Sequence, residues 1–409
     1  MISFFSKHKN SLQKLNFLFL LLLILALPSQ ETPKLIFWGI FVLSSVILLI
    51  SNPQEKKWDL LDTLIVIWMS SGLIVAYFAG IHHKEWSGST DLIIFTSVLL
   101  ILKNSYSPYK NINIIFNVIL LSTLLASLLA IWQLLILGSK EYIEFHSVGH
   151  VNHTAIYLSL SLAIIISILY SKWNTSSFSS RFFYLSIYSS IAITLVLTDS
   201  RAAILACFLL IVVCSCIYRK SIALSFTLLS ILLIFTGGNY VLNGKGIIGK
   251  QIDQVERGIF FQARIKIWRG ALLAWEQYPA FGVGIKNYEQ ISLDKLLAWC
   301  NKKGGDCRAD DYQPYAHGHS LYINTLAERG LYGLLVIFIN ILMLLFLIFK
   351  YRPDCEDKRE YVMLWTVSFS VLFLNLVIGL FNTSLHHEHA LLSMIIIGLW
   401  LGKTQTRTQ

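Results

Sequence analysis

Long apolar segments alternate with short polar ones along most of the 409-residue chain. Most of the apolar segments approach or exceed the ~20 residues that a helix needs to cross the hydrocarbon core of a bilayer. Because backbone groups inside a bilayer must be hydrogen-bonded within the protein, this pattern predicts helices as the spanning elements. We predict twelve spans, at residues 15–27, 35–50, 60–78, 92–102, 112–137, 154–170, 182–197, 202–218, 221–235, 331–349, 361–381 and 390–401.

One polar stretch, residues 236–330, is far longer than the other connections. Long connections in a protein with otherwise short loops tend to carry function. We therefore divide the chain into residues 1–235, with spans one to nine, residues 236–330, a long loop with short interfacial helices and the candidate reactive segment, and residues 331–409, with spans ten to twelve and a tail. The predicted fold class is an all-α polytopic membrane protein.

Composition and charge agree with this class. The chain is 55% hydrophobic and only 14% charged, which excludes an ordinary soluble protein. Its net charge of +10 does not indicate a nucleic-acid partner, because 17 Lys and Arg residues fall in segments on one side of the predicted spans and four in the short loops on the other. This asymmetry is the positive-inside pattern, and it predicts that both termini are cytoplasmic and that the long loop is external. We read the first segment as an uncleaved anchor, since Ala26-Leu27-Pro28-Ser29 is a poor cleavage site.

Polar residues at membrane depth are candidates for function. The cluster at residues 149–154 contains Asn152 and His153, which could bind sugar hydroxyls at the mouth of a cavity. Alternatively, Asn152 could cap the helix of the sixth span. The cluster at residues 198–203 contains Arg201, whose guanidinium fork suits a phosphate but could also pair with Asp199.

An amphipathic helix is predicted after residue 260. Ile265, Trp268, Leu272 and Trp275 recur at helical spacing, which is typical of a helix lying on a membrane surface. Arg264 is the basic residue that we single out, although attraction to anionic headgroups would explain several of the charges nearby. Residues 279–284, Pro-Ala-Phe-Gly-Val-Gly, end this helix in a turn-rich loop.

The segment His317-Gly318-His319 stands where the long loop meets the tenth span. We expect His319 to lie just before a helix that starts at Ser320, where the positive end of the helix disfavours a protonated ring. A neutral histidine can act as a general base. Metal binding with Asp310 and Asp311, or with the run 386–389, is an alternative, but no full ligand set with a recognisable spacing is visible. We therefore predict no metal and no cofactor.

Cys300 and Cys307 are the cysteines of the long loop. In an oxidising compartment they could form a disulfide that closes a small loop, and otherwise they would be free thiols.

Taken in order, the motifs resemble a known family. They are Ser200-Arg201-Ala202 after a span, Arg264 with Trp268 ahead of residues 279–284, a long external loop, and His319-Ser320-Leu321-Tyr322 leading to residues 328–333. The chain resembles the O-antigen ligase family, which also contains O-antigen polymerases and related oligosaccharyltransferases. The resemblance runs from about residue 149 to the C-terminus.

The resemblance implies an enzyme of the inner membrane of Gram-negative bacteria, a glycosyltransferase of lipopolysaccharide biosynthesis with its long loop in the periplasm. It would transfer a polysaccharide from undecaprenyl diphosphate to lipid A–core. The chemistry itself predicts inversion at the sugar carbon, because the acceptor attacks opposite the diphosphate, and it needs no metal if arginines supply the positive charge. By motif, Arg201 and Arg264 would hold the diphosphate and His319 would be the base. His317 departs from the family pattern and could share that role.

Two other functions stay open at this point. An O-antigen polymerase would use the same chemistry with a second lipid-linked glycan as the acceptor. A membrane transporter would carry ionisable residues in the middle of its spans, whereas here they lie at the span ends.

Overall fold

The chain folds into α-helices joined by short connections. The computed structural model describes residues 9–51, 58–105, 111–140, 142–218, 262–304, 307–354 and 357–408, and these form thirteen α-helices and no strand. The helices are α1 (Lys9–Ala26), α2 (Glu31–Ser51), α3 (Leu60–Tyr77), α4 (Glu85–Asn104), α5 (Ile112–Leu135), α6 (Val151–Lys172), α7 (Phe178–Leu197), α8 (Arg201–Tyr218), α9 (Gln262–Gln277), α10 (Leu293–Lys302), α11 (Leu321–Lys350), α12 (Arg359–Gly379) and α13 (His387–Thr408). Short 3-10 helices occupy Trp173–Thr175, Tyr288–Gln290 and Ala309–Asp311.

Among the described helices, ten are long and apolar enough to cross a membrane, namely α1 to α8, α11 and α12. Helix α13 has polar residues at both ends, but its apolar middle contains the twelfth predicted span. The ninth predicted span, residues 221–235, lies outside the described residues. The predicted class, an all-α polytopic membrane protein, is confirmed.

Helix α4 is longer than the span that we predicted at residues 92–102. Its first two turns are polar in sequence, so hydropathy alone missed them. The structure satisfies these polar groups locally, since the Ser89 hydroxyl lies 2.8 Å from the Glu85 carbonyl and 2.7 Å from the Gly72 carbonyl of α3. A helix can begin in polar residues where its neighbours accept their hydrogen bonds.

Helix α6 forms the centre of the bundle. It packs against α5, α7, α8, α12 and α13, and almost every side chain from His153 to Tyr170 is buried. A helix that is apolar around its whole circumference is expected to be enclosed by other helices. Its first turn is thereby held in a fixed position at one end of the bundle, which is the end that carries the candidate site.

Helix α11 is broken at Gly330, where φ is 62° and ψ is −166°. The predicted tenth span began at residue 331, which is the start of the segment after this break. The residues from Leu321 to the break form a separate short helix ahead of the spanning segment. The positive φ explains the glycine, because a residue with a Cβ is strained in this conformation.

The loop at residues 279–284 binds the backbone groups that the break in α11 leaves without helical partners. The Val283 amide donates to the Ala327 carbonyl at 2.9 Å, and the Leu331 amide donates to the Pro279 carbonyl at 2.9 Å. Buried backbone groups must find such partners, and here the loop supplies them on both sides of the break. This arrangement joins the end of α9 to α11.

The contact between loop and helix requires glycine on both sides. A Cβ on Gly282 would lie 2.4 Å from the carbonyl carbon of Glu328, and one on Gly330 would lie 2.4 Å from that of Ala280. Backbone therefore packs directly against backbone at this point. This contact ties α9, which carries Arg264, to α11, which His319 precedes.

Helix α9 is amphipathic, as predicted, and it turns part of the predicted stripe away from the protein. Ile267, Ala271 and Ala274 are buried against the rest of the structure. Ile265 and Leu272, two members of the predicted stripe, are 42% and 39% exposed. An interfacial helix would direct such a stripe into the membrane surface.

Candidate functional site

The candidate site lies where the first turns of α6, α8, α11 and α13 meet the residues that follow α12. His319 is the last residue before the cap of α11 and has a φ of 45°, in the left-handed region. Ser320 caps the helix, and its hydroxyl also donates to the Gly379 carbonyl at 3.2 Å. The Gly318 amide donates to Asn324 Oδ1 at 2.7 Å. These bonds fix the loop that carries His319 to both α11 and α12.

The ring of His319 is oriented by a residue that the sequence did not indicate. Its Nδ1 lies 3.4 Å from Oδ1 of Asn382, in the segment that follows α12. Because an amide oxygen can only accept a hydrogen bond, this contact is a hydrogen bond when the neutral ring carries its proton on Nδ1. Nε2 then keeps its lone pair, which is the atom that a general base uses. Asn382 Nδ2 is buried and has no hydrogen-bond partner in the described part of the chain.

His319 and His317 are both held in the neutral state. Their ring centres lie 4.3 Å apart, and the His319 amide donates to His317 Nδ1 at 3.3 Å. Burial lowers the pKa of His319 to about 4; the Asn382 hydrogen bond opposes this shift and the charge of Arg264 adds to it. Burial likewise lowers the pKa of His317 to about 3, with further contributions from His319 and His150.

Arg264 faces a second arginine. Burial lowers the pKa of its guanidinium, and the positive charge of Arg201 lowers it further. Arg264 lies 5.6 Å from the ring of Phe381, and within the described residues no carboxylate pairs with it. Guanidinium groups stay charged at neutral pH. Two neighbouring cations in a partly buried place are stabilised when an anion binds between them.

Arg201 begins α8, and Asn152 helps to hold the turn before it. The Ser200 hydroxyl donates to Asn152 Oδ1 at 3.2 Å, which ties this turn to α6. The alternative in which Asn152 caps α6 is wrong: His150 is the cap, and its Nδ1 accepts from the Asn152 amide at 3.2 Å. A cap earlier in the chain leaves the Asn152 side chain available to hold Ser200.

A group of histidines adjoins His317. His153 stacks on His317 with ring centres 5.5 Å apart, and on its other sides it meets His386 at 5.7 Å and His387 at 5.8 Å. His386 and His387 are 3.7 Å apart. Ring nitrogens of His153, His386 and His387 all lie within 4.8 Å of one another. The sequence suggested His153 as an accessory residue but gave no sign of its proximity to the run 386–389.

A cavity of about 810 Å³ opens beside these histidines. Its size falls in the range of about 300–1,000 Å³ that is typical of ligand pockets. Charged groups of both signs line it, together with imidazoles; they include Glu31, Lys34, Lys84, Asp91, Lys286 and Glu289. His150, His153 and His317 face it, whereas Arg201, Arg264 and His319 do not belong to its lining. The cavity and the arginine pair are therefore separate parts of the site.

Cys300 and Cys307 lie away from this centre, at the end of α10. Their sulfur atoms are at bonding distance, 2.03 Å apart. Cys300 packs into the small apolar cluster beneath α9 and α10. The pair thus braces the helices of the long loop and takes no part in the candidate site.

The fold and the site define a polytopic helical membrane protein with a polar site of arginines and neutral histidines at one end of its bundle. The model of the O-antigen ligase family matches residues 184–338, which supports the assignment of this chain to that family. The matched range contains Arg201, Arg264 and His319. The family whose model matches is the one that the motifs predicted. The chain is also similar to an uncharacterised protein of Haemophilus influenzae, with 23% identity over 279 residues, 65% of this chain and 67% of that protein.

Proposed function

We propose that the protein is an O-antigen ligase, which transfers a polysaccharide from undecaprenyl diphosphate to lipid A–core. The observation that carries this proposal is the convergence of Arg201, Arg264 and His319, three residues from distant parts of the chain. Arg264 lies close enough to both of the others for its charge to act on each. A pair of cations beside a neutral base suits an anionic leaving group and a hydroxyl acceptor.

The two arginines would bind the diphosphate of the donor. When the bond between the anomeric carbon and the diphosphate oxygen breaks, its electron pair leaves with undecaprenyl diphosphate. Guanidinium groups fixed at this position stabilise the developing charge without reorganising, which is commonly the largest contribution to catalysis. Because the arginines supply this positive charge, the reaction as proposed does not require a metal.

His319 would remove the proton of the acceptor hydroxyl as that oxygen attacks the anomeric carbon. With Nδ1 donating to Asn382, the proton passes to Nε2. A general base of this kind contributes roughly 10²–10⁴ in rate. Attack opposite the departing diphosphate inverts the configuration of the sugar carbon. His317, which accepts the backbone amide of His319, would position the base rather than contact the hydroxyl.

The cavity beside His317 would hold a glycan. Its charged groups and imidazoles offer hydrogen bonds to sugar hydroxyls and to the acidic groups of a lipid A–core. The membrane itself would hold the lipid parts of donor and acceptor. The charge distribution of the sequence supports an orientation with this end of the bundle outside the cytoplasm, so the reaction would occur on the periplasmic face of the inner membrane.

Deletion of the gene in its host tests the proposal. Lipopolysaccharide and the undecaprenyl-linked glycans would be compared between the deletion strain and the parent. For a ligase, long chains vanish from lipid A–core and persist on the lipid carrier. If lipid A–core instead carries a single repeat unit, the protein is an O-antigen polymerase. An unchanged lipopolysaccharide would contradict both.

Complementation tests the assigned residues. We expect His319→Ala and Arg264→Gln to leave the deletion phenotype in place at normal protein levels. Arg269→Gln is the matched control, because Arg269 lies on the same helix but is exposed and pairs with Asp311 at 2.6 Å. That variant should restore long chains. Full restoration by His319→Ala would show that the base is a different residue.

A further inference from the structure

Three of the histidines beside the cavity, His153, His386 and His387, take no part in the bond breaking and proton transfer proposed above. We propose that His153, His386 and His387 form a binding site for a divalent transition-metal ion that imidazole ligands favour, of which Zn²⁺ is the representative. This inference is independent of the proposed function, since it concerns binding and assigns the ion no step in glycan transfer.

The geometry of the three rings supports a shared ligand. One nitrogen from each lies within 4.8 Å of the others, so shifts of about 1 Å would bring them to the spacing of ligands around one ion at Zn–N distances of ~2.0–2.1 Å. His386 Nδ1 is buried and has no hydrogen-bond partner among the described residues. A buried nitrogen without a partner is costly, and a metal ion would satisfy it.

The backbone and the surroundings also favour a ligand. His387 has a φ of 46°, a strained conformation for a residue with a Cβ, and such strain concentrates at functional positions. Its Nδ1 lies 3.7 Å from Asp91 Oδ2, so a carboxylate stands close to this ring. The same carboxylate pairs with Lys286 at 2.6 Å, which partly neutralises the nearest cation.

The access to the three histidines and the number of ligands that they offer also fit a metal site. All three histidines line the cavity, which gives an ion a path to them from outside the bundle. Three imidazoles leave one position of a tetrahedral ion open. The fourth ligand would be a water molecule or a hydroxyl group of a molecule in the cavity.

The sequence argued against a metal because its histidines show no recognisable ligand spacing. The structure removes that objection, since the set combines His153 from the first turn of α6 with two residues from the start of α13. Packing of α6 against α13 brings them together. An ion there would also link these two helices across the candidate site.

Metal titration of the purified full chain tests the inference. Protein carrying no polyhistidine tag, in lipid nanodiscs, is stripped with a chelator and titrated with Zn²⁺, and with Co²⁺ as a spectroscopic probe of imidazole ligation. We expect one equivalent per chain. His386→Ala and His387→Ala should each weaken binding by at least about 100-fold, since even changes to residues that only support a ligand cost 10–100-fold. His83→Ala, a change at an exposed histidine, should bind like the wild type.

The result for each variant is interpreted against the thermal unfolding of the metal-free protein. A variant that unfolds at the wild-type temperature and binds no metal supports the site. The inference fails if the wild type binds no stoichiometric Zn²⁺ or Co²⁺, or if both ligand variants bind normally. His319→Ala separates the two proposals, because it should retain the metal while losing glycan transfer.

Wild-type protein treated with a chelator gives a second way to distinguish the metal-site proposal from the transfer proposal. Transfer that persists without metal, with stoichiometric binding when metal is added, agrees with both proposals. Loss of transfer that added Zn²⁺ restores would leave the site standing and overturn the metal-free mechanism. Transfer without any metal binding would leave the mechanism standing and overturn the site.

Discussion

At the scale of single residues, the environment of His319 sets when it can act as a base. His319 is only 8% exposed and lies near the charge of Arg264. The groups that face it are His317, Tyr315 and Asn382, and none of them is an acid that would stabilise the protonated ring. Burial and a neighbouring cation both favour the neutral form, which is the form that accepts a proton.

This environment predicts the pH dependence of transfer. Because the pKa of His319 is lowered to about 4, the base stays neutral from pH 8 to pH 5.5, and kcat/KM should change little over this range. It should fall only as the pH drops through the lowered pKa. A histidine with the ordinary pKa of about 6.5 would lose roughly 90% of its active form by pH 5.5. Rates measured with purified protein and a lipid-linked donor check this.

The control is protein held at pH 5.5 and assayed after return to neutral pH. Recovery of full activity separates titration of the base from acid unfolding. A reversible tenfold loss between pH 7.5 and pH 5.5 would contradict the effect of burial argued for His319. It would instead indicate a base in contact with solvent or with a carboxylate.

Sequence motifs indicated the residues that we propose to react but not the residues that support them. Arg201, Arg264 and His319 stand in short motifs whose chemistry can be read without a structure. Asn382 lies 63 residues from His319 along the chain, and no spacing or periodicity connects the two. The run 386–389 was visible as a polar interruption of the sequence, but its proximity to His153 depends on packing between α6 and α13.

At the scale of elements, the contact between α11 and the loop at residues 279–284 determines the geometry of the site. The break at Gly330 exposes backbone groups, and the loop binds them. Gly282 has a φ of 71° and packs against the backbone of α11 with no room for a Cβ. Since α9 runs directly into this loop, any shift here would move Arg264 relative to His319.

We therefore expect Gly282→Ala to destabilise the protein and to fail in complementation. Gly304→Ala is the matched control, because Gly304 has a similar φ of 74° but has no atom within 4 Å of the added Cβ. Both changes incur the cost of a left-handed backbone, about 1 kcal/mol. Only Gly282→Ala adds a steric clash, typically a further 1–3 kcal/mol. Thermal unfolding in detergent should show the difference, and equal losses in the two variants would refute the argument.

Helix positions were predictable where the pattern is long and apolar, and less so at polar ends. The eight predicted spans before residue 219 each coincide with a helix of the structure. Hydropathy missed the first turns of α4, whose serine is satisfied by neighbouring carbonyls. It also placed the start of the tenth span at the break in α11, because the sequence before Gly330 is polar and its helix depends on tertiary contacts.

At the scale of the whole molecule, the proposal requires a particular orientation in the membrane. The candidate site lies at the starts of α6, α8, α11 and α13, so these ends share one face of the bundle. Among the termini and short connections, basic residues are enriched on the opposite side of the spans, which the positive-inside rule assigns to the cytoplasm. If the site faced the cytoplasm instead, it could not meet a glycan that is already on the outer face.

Cysteine labelling in intact cells tests this orientation. Ser139→Cys is exposed after α5, on the side of the site, and Thr175→Cys is exposed after α6, at the other end of the bundle. With wild-type protein as the baseline, a membrane-impermeant maleimide should label Ser139→Cys in cells whose outer membrane alone has been opened. Thr175→Cys should react only after the inner membrane is disrupted. The reverse pattern would place the arginine pair and His319 in the cytoplasm. The protein could then be neither a ligase nor a polymerase that acts on periplasmic glycans.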